Sequence, residues 1–235
     1  MLTESLRLLE QVAAIYEATG ETLRCEETTI IEQGSWKALE IFMPYAYARQ
    51  GAPAVHASAA RKTVQWLAER RASWQDAGLA QQAWRQFEQE LGDRARNHRN
   101  NPMCPKETCY PTRAGERPTK QPCVIEFVQE NLSSIDYNIV CWAEEMLRAG
   151  DVRPVHELLI SINGVGAKIA SLFLRDVAWA CDICPTQSRH LLQPVDLWVR
   201  RYVHHWAQDS GLSLSSTLLC EMDCSLAKIT HQMYH

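Results

Sequence analysis

The stretch from Val155 to Arg175 reads VHELLISINGVGAKIASLFLR, and its reading decides the fold. An apolar helix runs up to Ile162. Asn163-Gly164-Val165-Gly166 makes a tight turn, and a second apolar helix begins at once with Ala167, Ile169, Ala170, Leu172 and Phe173. Two helices joined by a Gly-x-Gly turn form a short helical hairpin. Glycine permits backbone angles closed to other residues and lets a ligand approach the main chain. The amides just past the turn open a helix, lack acceptors within it and favour an anion. Taken alone, the same turn is also a plain helix connection with a glycine C-cap.

Outward from the hairpin the periodicity stays helical. Leu6, Leu9, Val12, Ala13 and Tyr16 share a face, and Gly20 stops that helix. Ser35 is the expected N-cap of a helix carrying Trp36, Leu39, Ile41 and Phe42, which Pro44 ends or kinks. Further helices are expected from about Ala54 to Arg71, from Trp74 to Arg96, from about Cys123, and from Asn138 to Arg148. Residues 97–121 carry four prolines, one glycine and many polar side chains, and read as a long loop. No strand pattern and no internal repeat appears. The expected fold is all-α, with two helical lobes flanking a cleft.

The chain has 235 residues, 46% hydrophobic and 22% charged, which suits a globular domain. No stretch is apolar enough to span a bilayer, and the first residues lack the pattern of a secretion signal, so a cytoplasmic location is expected. The net charge of -4 argues mildly against a nucleic-acid partner, but the charges are segregated. Glu26, Glu27, Glu32 and Glu40 make the beginning acidic. Arg94, Arg96, Arg99, Lys106, Arg113, Arg117 and Lys120 make the stretch from Arg85 to Lys120 basic. That basic stretch reads equally as a solvated loop or as a nucleic-acid contact.

Beyond the second hairpin helix comes QPVDLWVRR, residues 193–201. Pro194 suits a helix start, and Asp196 falls in or just before the first turn. On its own Asp196 reads as a capping aspartate. GVGAKIA at 164–170 followed by PVDLWVRR at 194–201 resembles the paired signature of the helix-hairpin-helix DNA glycosylases, the superfamily of endonuclease III and 8-oxoguanine glycosylase. The resemblance covers about residues 155–206, within a single glycosylase unit spanning 1–235.

That resemblance implies a hairpin that grips the duplex backbone through Asn163, Gly164, Val165, Gly166 and Ala167, with Arg200 and Arg201 nearby. It implies Lys168 as a Schiff-base nucleophile and Asp196 as the carboxylate that stabilises the developing sugar cation. It places wedge or base-pocket residues near Tyr45, Tyr47 and Gln50. It also implies a monovalent cation on the carbonyls of Ile160, Ile162 and Val165, no required cofactor and no iron-sulfur cluster. The expected partner is double-stranded DNA carrying a modified base, bound by a monomer without any membrane. Three features depart from the usual pattern: Asn163 stands where the family usually has proline, the Lys168–Asp196 interval is long, with an insertion near Cys181–Leu192, and the iron-sulfur cysteine spacing is missing. The archaeal 8-oxoguanine branch, which also has a long interval and no cluster, is the nearer comparison.

The residue types suit this chemistry. Cleavage of a base–sugar bond builds positive charge that a nearby carboxylate stabilises in a dry site. A lysine amine attacks when neutral, which burial favours and a carboxylate opposes. The expected substrate is an oxidised purine such as 8-oxoguanine, in repair, or a hypermodified base of phage DNA, in defence. Two other readings remain open: a monofunctional enzyme in which water attacks with help from Asp196, and a non-catalytic hairpin module that only binds DNA. The nine cysteines read as small hydrophobes. Cys181 with Cys184 and Cys220 with Cys224 are read as helix-face residues rather than zinc ligands, and Cys104, Cys109 and Cys123 likewise carry no metal. His204, His205 and His231 read as surface residues. Most of the eight tryptophans are expected in the core, with one or two free to stack on a base.

Overall fold

The computed structural model describes residues 34–48, 54–92, 100–106 and 121–194. The helix expected near Leu6, Gln50, most of the basic loop, Asp196, Arg200, Arg201, Cys109, the Cys220–Cys224 pair and the three late histidines lie outside the described residues.

Among the described residues the architecture is helical. Seven α-helices occur: α1 (Ser35–Ala46), α2 (Ala54–Glu69), α3 (Leu79–Leu91), α4 (Val124–Asn131), α5 (Ile139–Arg148), α6 (Val152–Ile160) and α7 (Ala167–Ala180). Two 3-10 turns, Ser133–Ile135 and Arg189–Leu192, complete the described elements, and the single bridge joins Asp151 to Gln187. No helix among these residues is long and apolar enough to cross a membrane. Buried apolar side chains from all seven helices form one continuous cluster, in which Phe42, Phe87, Phe127 and Phe173 are the largest fully buried side chains. The break between two lobes expected from the sequence is not visible in this core.

Helix ends follow side-chain chemistry. Asn138 caps α5 by accepting from the amides of Val140 and Cys141, both at 3.0 Å. Cys123 caps α4, and the Glu126 carboxylate reaches back to the Cys123 amide at 2.8 Å, forming a capping box. The same carboxylate accepts the Lys106 amide at 3.2 Å.

As expected, α1 ends close to Pro44, which lies in its last turn before Ala46. Two expectations are corrected here. Ser35 is the first residue of α1 rather than its cap; its hydroxyl accepts the Trp74 indole N–H at 2.9 Å. The helix expected from Trp74 begins instead at Leu79, because Asp76 accepts from the Gly78 amide at 2.8 Å and turns the chain first. Trp74 therefore sits in a loop, stacked between Trp36 at 4.2 Å and Tyr137 at 5.4 Å.

The insertion after α7 is docked on the start of α6. The amides of Thr186 and Gln187 donate to the Gly150 carbonyl at 3.0 and 2.9 Å, and the Val152 amide donates to Gln187 O at 3.4 Å. Cys181 caps α7 and Cys184 is exposed, so these two are not buried helix-face residues; Cys104 and Cys123 are buried.

Candidate functional site

Helix α6 ends where Ser161 folds its hydroxyl onto the Leu158 carbonyl, 2.6 Å away. The connection to α7 spans residues 161–166. Its geometry is fixed from outside, by the short segment at 100–104 and by Pro122. The Asn163 amide donates to Pro122 O at 2.8 Å, and its side-chain amide donates to Asn101 O at 3.1 Å. A proline at this position would have neither donor. The side-chain bond makes Asn163 a fully buried strut rather than a surface contact.

Gly164 adopts φ +77°, where a side chain is strained. A Cβ there would also enter the Asn100 carbonyl group, 2.8 Å from its carbon. Close approach of backbone is thus the role of this glycine, but the approaching backbone belongs to the protein itself. The Val165 amide donates to Ile162 O at 3.0 Å, and the Val165 side chain is buried. That bond also occupies one side of the Ile162 carbonyl, one of the three expected cation ligands.

Gly166, extended at φ −98° and ψ 173°, caps α7, and Gly166 and Ala167 are the exposed part of the turn. Helix geometry leaves the amides of the first turn without acceptors in the helix, and the dipole adds positive potential there. Lys168, half-buried, follows in that first turn.

His156 of α6 braces the two helices. Its Nε2 lies 3.3 Å from Ala167 O and 3.3 Å from Ser171 Oγ of α7. Burial pushes this imidazole below its ordinary pKa range, and the contact with the Ala167 carbonyl opposes that shift.

Beyond Lys168, α7 shows one stripe that is less buried than the rest. Lys168, Leu172 and Arg175 are partly exposed and Trp179 is exposed, while Ile169, Ala170, Ser171, Phe173, Leu174, Asp176, Val177 and Ala178 are buried. The spacing of four, three and four residues keeps that stripe on one face. Tyr45 borders it. Its ring meets Phe173 edge-on at 5.5 Å, and its hydroxyl donates to Asp176 Oδ2 at 3.0 Å. Arg175 closes the cluster with Nε and Nη2 at 2.8 and 2.6 Å from Asp176 Oδ1.

Of the expected wedge residues, Tyr45 therefore lies beside the helix that carries Lys168. Tyr47 does not lie on a surface. It is 5% exposed, its ring stacks near His56 and Phe87, and its hydroxyl donates to Asn101 Oδ1 at 2.6 Å. Among the described residues no group of three or more His, Cys, Asp and Glu side chains is placed to hold a metal.

Asn101, His156, Arg175 and Asp176 were not singled out from the sequence. Arg-Asp in the middle of the apolar run LFLRDVAWA was the available signal for the last two, because an ionic pair inside a buried helix needs a partner. Nothing local marks Asn101. A scan against protein-family models, a search of curated proteins and a search of solved structures returned no match to the chain.

Proposed function

We propose that this protein is a DNA glycosylase of the helix-hairpin-helix type that excises a modified base from duplex DNA. The observation that carries the reading is the junction of α6 and α7: a glycine turn held rigidly from behind, an exposed Gly166–Ala167 tip at a helix N-terminus, and the Lys168 amine in the turn that follows. Such a tip suits a DNA phosphate, and an amine beside it reaches the sugar of an extruded nucleotide. The hairpin grips through its tip, with Asn163 and Val165 serving as support; Arg200, Arg201 and the basic stretch add charge by sequence.

In the proposed reaction the Lys168 nitrogen bonds to the anomeric carbon as the base–sugar bond breaks. The base leaves with the bonding pair and takes a proton, and Asp196 stabilises the sugar cation. Opening of the sugar ring gives the Schiff base, from which strand cleavage follows. Water in place of Lys168 gives an intact abasic strand instead. The substrate class is an oxidised purine or a hypermodified phage base.

The test uses a panel of duplexes, each with one modified base, together with phage DNA. Borohydride added during turnover reduces the Schiff base to a stable protein–DNA adduct. Lys168→Gln is expected to form none, and an adduct with that variant sinks the assignment. Base release without any adduct from the wild type moves the reading to the water mechanism. Failure to release a base from any member of the panel leaves only a binding module.

A further inference from the structure

We propose that His156 couples the hairpin tip to a proton: a DNA phosphate at Gly166–Ala167 and a proton on the His156 ring each favour the other, so the grip on DNA tightens in mild acid. This regulates the site proposed above and rests on the reading of that tip as the DNA contact. His156 lies in α6 and is 6% exposed. Its Nε2 stands 3.3 Å from Ala167 O and 3.3 Å from Ser171 Oγ, so the ring touches the tip residue from behind. A carbonyl oxygen is an acceptor only. The neutral ring therefore keeps its hydrogen on Nε2, donating to Ala167 O, and the further proton goes to Nδ1.

The surroundings of the ring set the sign. In the protein alone, burial pushes the imidazole below its ordinary 6.5, and the contact with the Ala167 carbonyl opposes that shift. Glu157 and Arg153 of the same helix bear on the ring in opposite directions. Lys168 follows Ala167 on α7, and α5 and the 3-10 turn at Arg189–Leu192, which also pack on α6, carry Glu144, Glu145, Arg148, Arg189 and His190. None of these adds to the shift. A phosphate that accepts from the Ala167 amide brings a negative charge to within about 10 Å of Nε2, the span of that residue plus two hydrogen bonds. Partly buried charges at such a range are screened less than exposed ones. Bound DNA therefore raises the pKa of His156, and the complex takes up a proton. Affinity rises as pH falls from the raised value towards that of the protein alone, below which both forms are protonated and the rise stops. His156 touches Ala167 and not the DNA, so it is a positioning residue.

The experiment measures fluorescence anisotropy on a short duplex with a tetrahydrofuran abasic analogue, at constant low salt, from about pH 8 to about pH 5.5, where imidazoles titrate. Wild-type affinity is expected to rise about threefold more than that of His156→Gln over this range. The glutamine keeps a donor for Ala167 O and does not titrate. All other histidines are common to both proteins, so the difference between the two profiles belongs to His156. A second measurement does not depend on the variant folding. The His156 ring proton is followed by NMR in the wild type, alone and with the duplex, and its titration is expected to move up by about half a pH unit.

Parallel profiles for the wild type and His156→Gln, or a His156 titration that DNA leaves in place or moves down, overturn the coupling while leaving the glycosylase reading intact. Wild-type affinity that falls in mild acid, where that of His156→Gln does not, also overturns it, since the proton would then be opening the junction. A wild-type protein with no affinity for the duplex at any pH brings down the tip as a DNA contact together with the coupling.

Discussion

The turn at 161–166 and the turn at 132–138 both carry backbone in the left-handed region, and they accommodate it by opposite means. In the first, Gly164 sits at φ +77°, and there is also no room for any side chain against Asn100. In the second, Asp136 at φ 51° and Tyr137 at φ 59° are consecutive and neither is glycine. There a large side chain holds the backbone: the Tyr137 ring stacks on Trp74, which itself is anchored by Ser35, and the Tyr137 amide donates to Leu132 O at 2.8 Å. One turn is specified by an absence and the other by a stack. Strain of this kind persists only where the surroundings over-determine it.

Gly164→Ala tests the first half most severely. It combines left-handed strain with a clash against a carbonyl, and a loss of about 3 kcal/mol or more is expected in urea unfolding. A loss below about 1 kcal/mol would show that the 100–104 segment yields easily, and the contrast between the turns would fail. Asn163→Pro, which installs the residue usual in the resembling family, removes two buried hydrogen bonds and is expected to cost about 2–3 kcal/mol in the same measurement.

At the other turn the order of substitutions carries the information. Tyr137→Ala loses the stack and keeps the strained backbone, costing about 2 kcal/mol, while Tyr137→Gly recovers about 1 kcal/mol of that. Equal stabilities for the two variants would mean that the backbone there is unstrained. Asp136 is exposed, and Asp136→Gly is expected to raise stability by about 0.5 kcal/mol.

The smallest effect concerns the hairpin brace. His156 has its pKa lowered from 6.5 in the folded protein, so below that value the unfolded chain binds the proton more readily. The melting temperature should therefore fall as pH drops from neutral through the unfolded value, until the folded-state value is passed. His156→Gln should flatten that part of the profile, and a profile identical to the wild type's would remove His156 from the account.

Helices were legible where one face repeats, as in α5 and α7, because burial leaves a trace every three or four residues. Trp74 misled, since it is expected to open a helix yet is spoken for by Trp36 and Tyr137 far along the chain. The two helices and the glycine turn between them were legible, since glycines and periodicity are local. Its supports were not. Asn163 meets a residue 62 positions away, and Tyr45 meets Asp176 across 131. Tyr47, expected at the DNA surface with Tyr45, differs from it by half a helical turn, and that rotation sends it to Asn101 and the core instead. Asp196, the other half of the expected chemistry, lies outside the described residues.

Glu126 has one more consequence. Its carboxylate takes the amide of Lys106 and the amide of Cys123, so one side chain ties the end of the 100–106 segment to the start of α4. Between two points of a chain that are already joined, a change in the number of residues enters stability only as the logarithm of a ring size, about 0.6 kcal/mol for each halving or doubling. Glu126 thereby makes residues gained or lost between Lys106 and Cys123 cheap for the junction of α6 and α7, so long as both amide bonds are kept.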